Sequence, residues 1–131
     1  MISAETARAV RSRANGICEY CLFAEVDSSL SFHVEHIIAR MHGGSDEVGN
    51  LALACPNCNL RKGTNLTGID PDSGMVRQLF HPRTQRWTEH FELKQGRIVA
   101  ASPEGRTTLW LLDMNEPRRV RLRAIYYRNR L

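Results

Sequence analysis

A chain of 131 residues is the size of one compact domain, long enough for a modest core and short enough for a metal staple to matter. With 42% hydrophobic and 24% charged residues it is neither disordered nor fibrous. No apolar run approaches the roughly 18 to 20 residues of a membrane span, and the N-terminus MISAETARAVRSRANG lacks the apolar centre of a signal peptide, so a cytoplasmic protein with no membrane partner is expected.

The formal charge of +4 is unevenly placed, with 11 basic and 11 acidic side chains in residues 1–103 against 7 and 3 in residues 104–131. An excess confined to the tail favours a polyanionic partner only weakly, because arginines on a solvated helix give the same count.

In chain order, Ser3 is an N-cap candidate, residues 4–14 favour helix, and Gly16 suits the helix end. Residues 22–30 read as a loop. SFHVEHII then alternates as a strand, with Phe32, Val34 and His36 on one face and His33, Glu35 and Ile37 on the other. RMHGGSDEVGN is too rich in Gly and Asp to continue it, and LALA is a short strand after that loop. Pro56 at a first helical position and Gly63 just past the end predict a helix of about two turns between them. Further on, DPDSG is a turn, MVRQLF and RWTEHFEL have strand character, and KQGR turns the latter into IVAA. Two helices follow, one around Arg106 to Met114 and one from Pro117 to the end. In the last, Val120, Ala124, Tyr127 and Leu131 form the apolar stripe expected to pack on the protein.

The four cysteines fall as Cys18-x-x-Cys21 and Cys55-x-x-Cys58, separated by 33 residues. Two such pairs supply four thiolates to one tetrahedral Zn²⁺, a closed structural site with no open position for chemistry. Any reaction must therefore come from the insert between them.

That insert resembles the HNH endonuclease family, the ββα-metal nucleases with an added four-cysteine zinc site. The resemblance rests on Cys18-x-x-Cys21, Glu35-His36-Ile37, Gly43-Gly44, Asn50-Leu51, Cys55-x-x-Cys58-Asn59 and Lys62-Gly63. It covers about residues 16–63 and implies an α+β fold. A ββα-metal core is clamped by the zinc, with an N-terminal helix and a C-terminal extension of short antiparallel strands and two helices. The division implied is a nuclease core at 1–66 and an extension at 67–131.

The resemblance also implies roles. His36 matches the general base, Asn50 the central asparagine that ties the loop and orients that base, and Glu35 and Asn59 the ligands of a catalytic divalent metal. One carboxylate and one amide oxygen suit Mg²⁺ or Mn²⁺. Glu35 stands where Asp is commoner in the family, and Ala39 where Pro is frequent.

Arg40, Arg61 and Lys62 flank this region as candidate phosphate contacts. His33 is open between extra ligand, phosphate contact and surface residue, and His42 is similarly open. On the last helix, Arg119, Arg123 and Arg130 form one basic flank and Arg121 and Arg128 another, one of which would continue a track for DNA. Trp87, Phe91 and Trp110 are expected in the core. The expected function is metal-dependent hydrolysis of DNA, with a homodimer or a larger nuclease assembly as candidate associations. The alternative is a zinc-stabilised nucleic-acid-binding module without catalysis, or a subunit of a larger nuclease or phage assembly.

Overall fold

The computed structural model describes residues 1–128 and 130. Helix α1 spans Ala4–Ala14, started by the Ser3 hydroxyl accepting from Thr6 N. Its end differs by one residue from expectation: Asn15 takes the left-handed cap with φ 54°, and Gly16 follows with φ 73°.

Strand β1 (His33–His36) pairs antiparallel with β2 (Leu51–Ala54), setting His33 opposite Ala54 and His36 opposite Leu51. The strand is shorter than SFHVEHII suggests because both flanks leave the ladder. Phe32 N donates to the Glu25 carboxylate at 2.7 Å, and Ile37 N donates to Asn50 O at 2.8 Å. All four β2 residues are buried. Helix α2 (Pro56–Lys62) begins at Pro56, with the Cys55 thiol accepting from Cys58 N, and stops at Gly63. Strand, strand and short helix thus form as expected, and the whole is α+β.

The extension departs more. Strand β3 (Thr67–Ile69), too short to show a period, pairs with β4 (Val76–Gln78) across the DPDSG turn. Asp70 in that turn is fully buried and accepts two 2.7 Å bonds from Arg106, which hold its carboxyl below the usual range. RWTEHFEL is a strand only in its second half. Trp87–His90 make one helical turn, α3, before β5 (Phe91–Lys94), which pairs with β6 (Arg97–Ala100). Helix α4 runs Pro103–Leu111, starting and ending earlier than expected because Ser102 caps it through Gly105 N and Pro103 takes the first position.

Helix α5 (Pro117–Arg128) packs through its apolar stripe and, beside it, through two arginines. Val120, Ala124 and Tyr127 are half-buried, Leu131 lies outside the described residues, and the side chains fully covered are Arg119 and Arg123. Their guanidiniums find backbone acceptors: Arg123 donates to Gly96 O at 2.9 Å and Met114 O at 2.8 Å, and Arg119 donates to Asp113 O. The basic flank that held these two residues is therefore no surface track for DNA. Trp110 is also corrected: it is 67% exposed, because α4 faces inward through Thr107 and Thr108 instead.

One hydrophobic cluster takes Val10, Tyr20, Phe32 and Leu53 from the first half and Phe80, Phe91, Ile98 and Leu112 from the second. Cross-links reinforce it, Trp87 Nε1 donating to Tyr20 O at 2.8 Å and Tyr127 Oη to Leu22 O at 2.7 Å. At Gly96 (φ 82°) an added Cβ would lie 2.3 Å from Val120 O. Gly96→Ala is accordingly expected to cost about 1 to 3 kcal/mol, read as a lowered midpoint in urea. No described helix is long and apolar enough to cross a membrane.

Candidate functional site

The two Cys-x-x-Cys turns meet beneath the β1–β2 hairpin. The first follows α1 and the second opens α2, and the four Sγ atoms lie within 4.8 Å of one another, all buried. Cys21 Sγ and Cys55 Sγ are 3.7 Å apart, the separation of two sulfurs that share a tetrahedral ion at about 2.3 Å each. Backbone N–H groups back them, Cys21 N to Cys18 Sγ at 3.5 Å and Cys58 N to Cys55 Sγ at 3.4 Å. Burial pushes the Cys18 thiol well up, a cost that a bound cation removes by stabilising the thiolate. The cluster is compatible with a structural zinc site.

Above it, β1, the loop after it and the outer side of α2 enclose an open cleft of ≈ 450 Å³ lined by His33, Glu35, His36, Arg40 and Asn59 among others. Glu35 and His36 are adjacent on a strand, yet both border this cleft with Asn59 opposite on α2. Glu35 is largely buried and held at both oxygens, Tyr20 Oη donating to Oε1 at 2.5 Å and Lys62 Nζ to Oε2 at 3.2 Å. Burial raises its pKa, against the pull of Lys62 and Tyr20. The Asn59 side chain makes no hydrogen bond among the described residues and is only half-buried.

His36 Nε2 lies 2.8 Å from Asp46 Oδ1. The Met1 ammonium, His36 and Arg40 hold the Asp46 carboxyl well below the usual range. An ionised carboxylate only accepts, so in the neutral ring Nε2 carries the proton and Nδ1 keeps the lone pair. Arg40 clamps the same carboxylate, through Nε at 3.1 Å and Nη2 at 3.0 Å.

Asn50 lies behind the cleft. Its Oδ1 accepts from Ile38 N at 2.9 Å, and its Nδ2 donates to Ile38 O at 2.9 Å and Ser45 O at 2.8 Å. One amide thus fastens both ends of the loop that carries Asp46. Gly44 permits the closure, since a Cβ there would sit 1.7 Å from Ile38 O. Asn50→Ala strands the Ile38 amide and two carbonyls, with an expected loss of about 1 to 3 kcal/mol, seen as a melting point lowered by about 5 to 10 °C.

Three expected phosphate contacts fare differently. Arg40 borders the cleft and is 53% exposed. Arg61 is exposed but faces the extension, Nε donating to Leu111 O at 2.9 Å. Lys62 is corrected: only 2% exposed, it bonds Glu35 and, at 3.1 Å, His36 O, so it cannot reach a phosphate. Its four-carbon stem crosses α2's inner face to a buried carboxylate, the partner a buried ammonium requires. His33 borders the cleft, whereas His42 does not line it and donates through Nε2 to the carbonyl of the lining residue Thr64 at 3.1 Å.

Asp46 and Tyr20 escaped the reading of the sequence. Asp46 stands ten residues beyond His36 in a glycine loop, where only the closure by Asn50 returns it to the histidine. Tyr20 lies inside the first cysteine pair, where the spacing draws attention to the sulfurs alone. A carboxylate and an amide at one cleft supply hard oxygen donors, and a carboxylate-held imidazole supplies a base.

Residues 18–65 match the family model described as HNH endonuclease. No curated protein and no solved structure matches the chain.

Proposed function

We propose, from the HNH domain of residues 18–65, that this chain is a metal-dependent endonuclease hydrolysing phosphodiester bonds of DNA, with His36 as general base. The observation that carries the reading is the meeting of Glu35, His36 and Asn59 at one open cleft.

The donors fit a divalent cation. Each Glu35 oxygen accepts one hydrogen bond and retains a lone pair, and the Asn59 amide oxygen is free of partners among the described residues. Glu35 and Asn59 would hold Mg²⁺ or Mn²⁺, which when bound offsets charge on the phosphate and on the departing 3′ oxygen. The remaining work falls to the chain. Asp46 accepts the Nε2 proton of His36, which leaves Nδ1 to take a proton from the attacking water. Asn50 keeps the loop bearing Asp46 against β1, and Lys62 with Tyr20 fixes the Glu35 carboxylate. Arg40, half-exposed beside His36, is the phosphate contact this reading retains.

A second reading has one observation in its favour. Both oxygens of Glu35 are engaged by protein donors, which also suits a zinc-stabilised nucleic-acid-binding module or a subunit of a larger nuclease assembly. Supercoiled plasmid, single-stranded and branched DNA incubated with Mg²⁺, Mn²⁺ or chelator separate the two. Metal-dependent cleavage is the expected result, and DNA binding with no cleavage under any metal would overturn the enzymatic reading.

A further inference from the structure

Two guanidiniums of α5 are buried without a carboxylate. Arg119 is 5% exposed and Arg123 1%, and neither pairs with an acidic side chain among the described residues. Carbonyls satisfy part of their hydrogen bonding, as described above, but a carbonyl does not neutralise a charge, and an uncompensated cation in an interior is strongly disfavoured. Arg119 Nε and Arg123 Nη1 even lack an acceptor.

The missing anion lies at the other end of Arg119. Its Nη1 donates to Cys55 Sγ at 3.8 Å, a charge-assisted N–H···S bond into the cysteine cluster. Four thiolates on one divalent ion carry a double negative charge, buried with its sulfurs, and the Arg119 guanidinium touches it. Neutral thiols would leave Arg119 unbalanced, and the loaded cluster would lose a buried counter-charge without it. The charges are complementary only when metal and α5 are both in place.

We infer that Arg119 is a counter-charge of the metal–thiolate cluster, with the Arg119–Cys55 bond in its outer shell, so that metal loading and docking of α5 support each other. The inference rests on metal occupancy of the four cysteines and is independent of DNA cleavage. It gives part of the basic tail an inward role, that of stabilising the site that clamps the first sixty-odd residues.

The test uses the full chain as wild type, Arg119→Met and Arg119→Lys, loaded with zinc and titrated with a chromophoric chelator, and loaded in parallel with Co²⁺. Loss of such an outer-shell partner is expected to weaken metal retention by about 10- to 100-fold in Arg119→Met, with most of it recovered in Arg119→Lys. Arg119→Met should also shift the cobalt–thiolate charge-transfer band, which loss of packing alone would not move. Unchanged retention in Arg119→Met would overturn the inference, as would a loss in Arg119→Lys equal to that in Arg119→Met. If Arg119→Met does not fold, wild type loaded with cadmium-113 decides. Scalar coupling between the metal and the Arg119 guanidinium protons through Cys55 Sγ supports the bond, and its absence refutes it.

Discussion

His36→Ala is expected to cleave supercoiled plasmid about 10²- to 10⁴-fold more slowly than wild type, the span attributed to one positioned general base, with zinc content and melting temperature unchanged. The side chain is half-buried at the cleft and, among the described residues, its hydrogen bond goes to Asp46. Asp46 keeps its Arg40 partner after the substitution, so no buried group is stranded and the fold has little reason to respond. The rate should respond strongly, because the imidazole proposed as the base is the one that Asp46 holds at the cleft. The measurement is nicking rate against enzyme concentration in Mg²⁺ or Mn²⁺, beside a thermal melt. A variant that cleaves at the wild-type rate would remove His36 from the mechanism, whatever the fate of the metal.

The opposite pattern is expected at the cysteines. Cys55→Ser, or chelation of the bound metal, should abolish the cooperative unfolding transition as well as activity. Binding of a structural zinc supplies roughly 10 to 16 kcal/mol in small zinc modules, which equals or exceeds the roughly 5 to 15 kcal/mol by which a whole domain is stable. Here the ion would join the end of α1 to the start of α2 across a 33-residue insert, so the hairpin loses its foundation when a ligand is lost. Cys55 is the harshest choice, since its sulfur also accepts from Cys58 N and Arg119. Circular dichroism melts with zinc stoichiometry by mass spectrometry check it. A Cys55→Ser protein that melts cooperatively near the wild-type temperature without metal would show that the core stands alone.

What the sequence made legible follows from how locally each feature is encoded. The cysteine pairs, the Pro56–Gly63 helix and the LALA strand depend on neighbours a few residues apart, and each formed close to the expected bounds. Glu35, His36 and Asn59 reach one cleft because the resemblance carried their order and spacing. Failures cluster where a long side chain chooses between solvent and interior. Lys62, Arg119 and Arg123 read as basic surface by residue type, yet each finds an interior acceptor supplied by a segment 26 to 64 residues away. No periodicity reports such a partner. Asp46 was hidden for the same reason, its relation to His36 being made by the loop that Asn50 closes. In the extension, RWTEHFEL alternates well enough for a strand, but the first half is held as a helical turn against α4.

The interior position of Lys62, Arg119 and Arg123 changes how the chain would behave toward a polyelectrolyte. On duplex DNA the logarithm of affinity falls with the logarithm of salt by about 0.9 for every phosphate a cation neutralises, as condensed ions are released. Cations enclosed within the fold release none, so the formal +4 overstates the attraction that a nucleic acid would meet. Association should weaken less with added salt than the composition implies, and discrimination between strands would rest on the shape of the cleft more than on long-range pull.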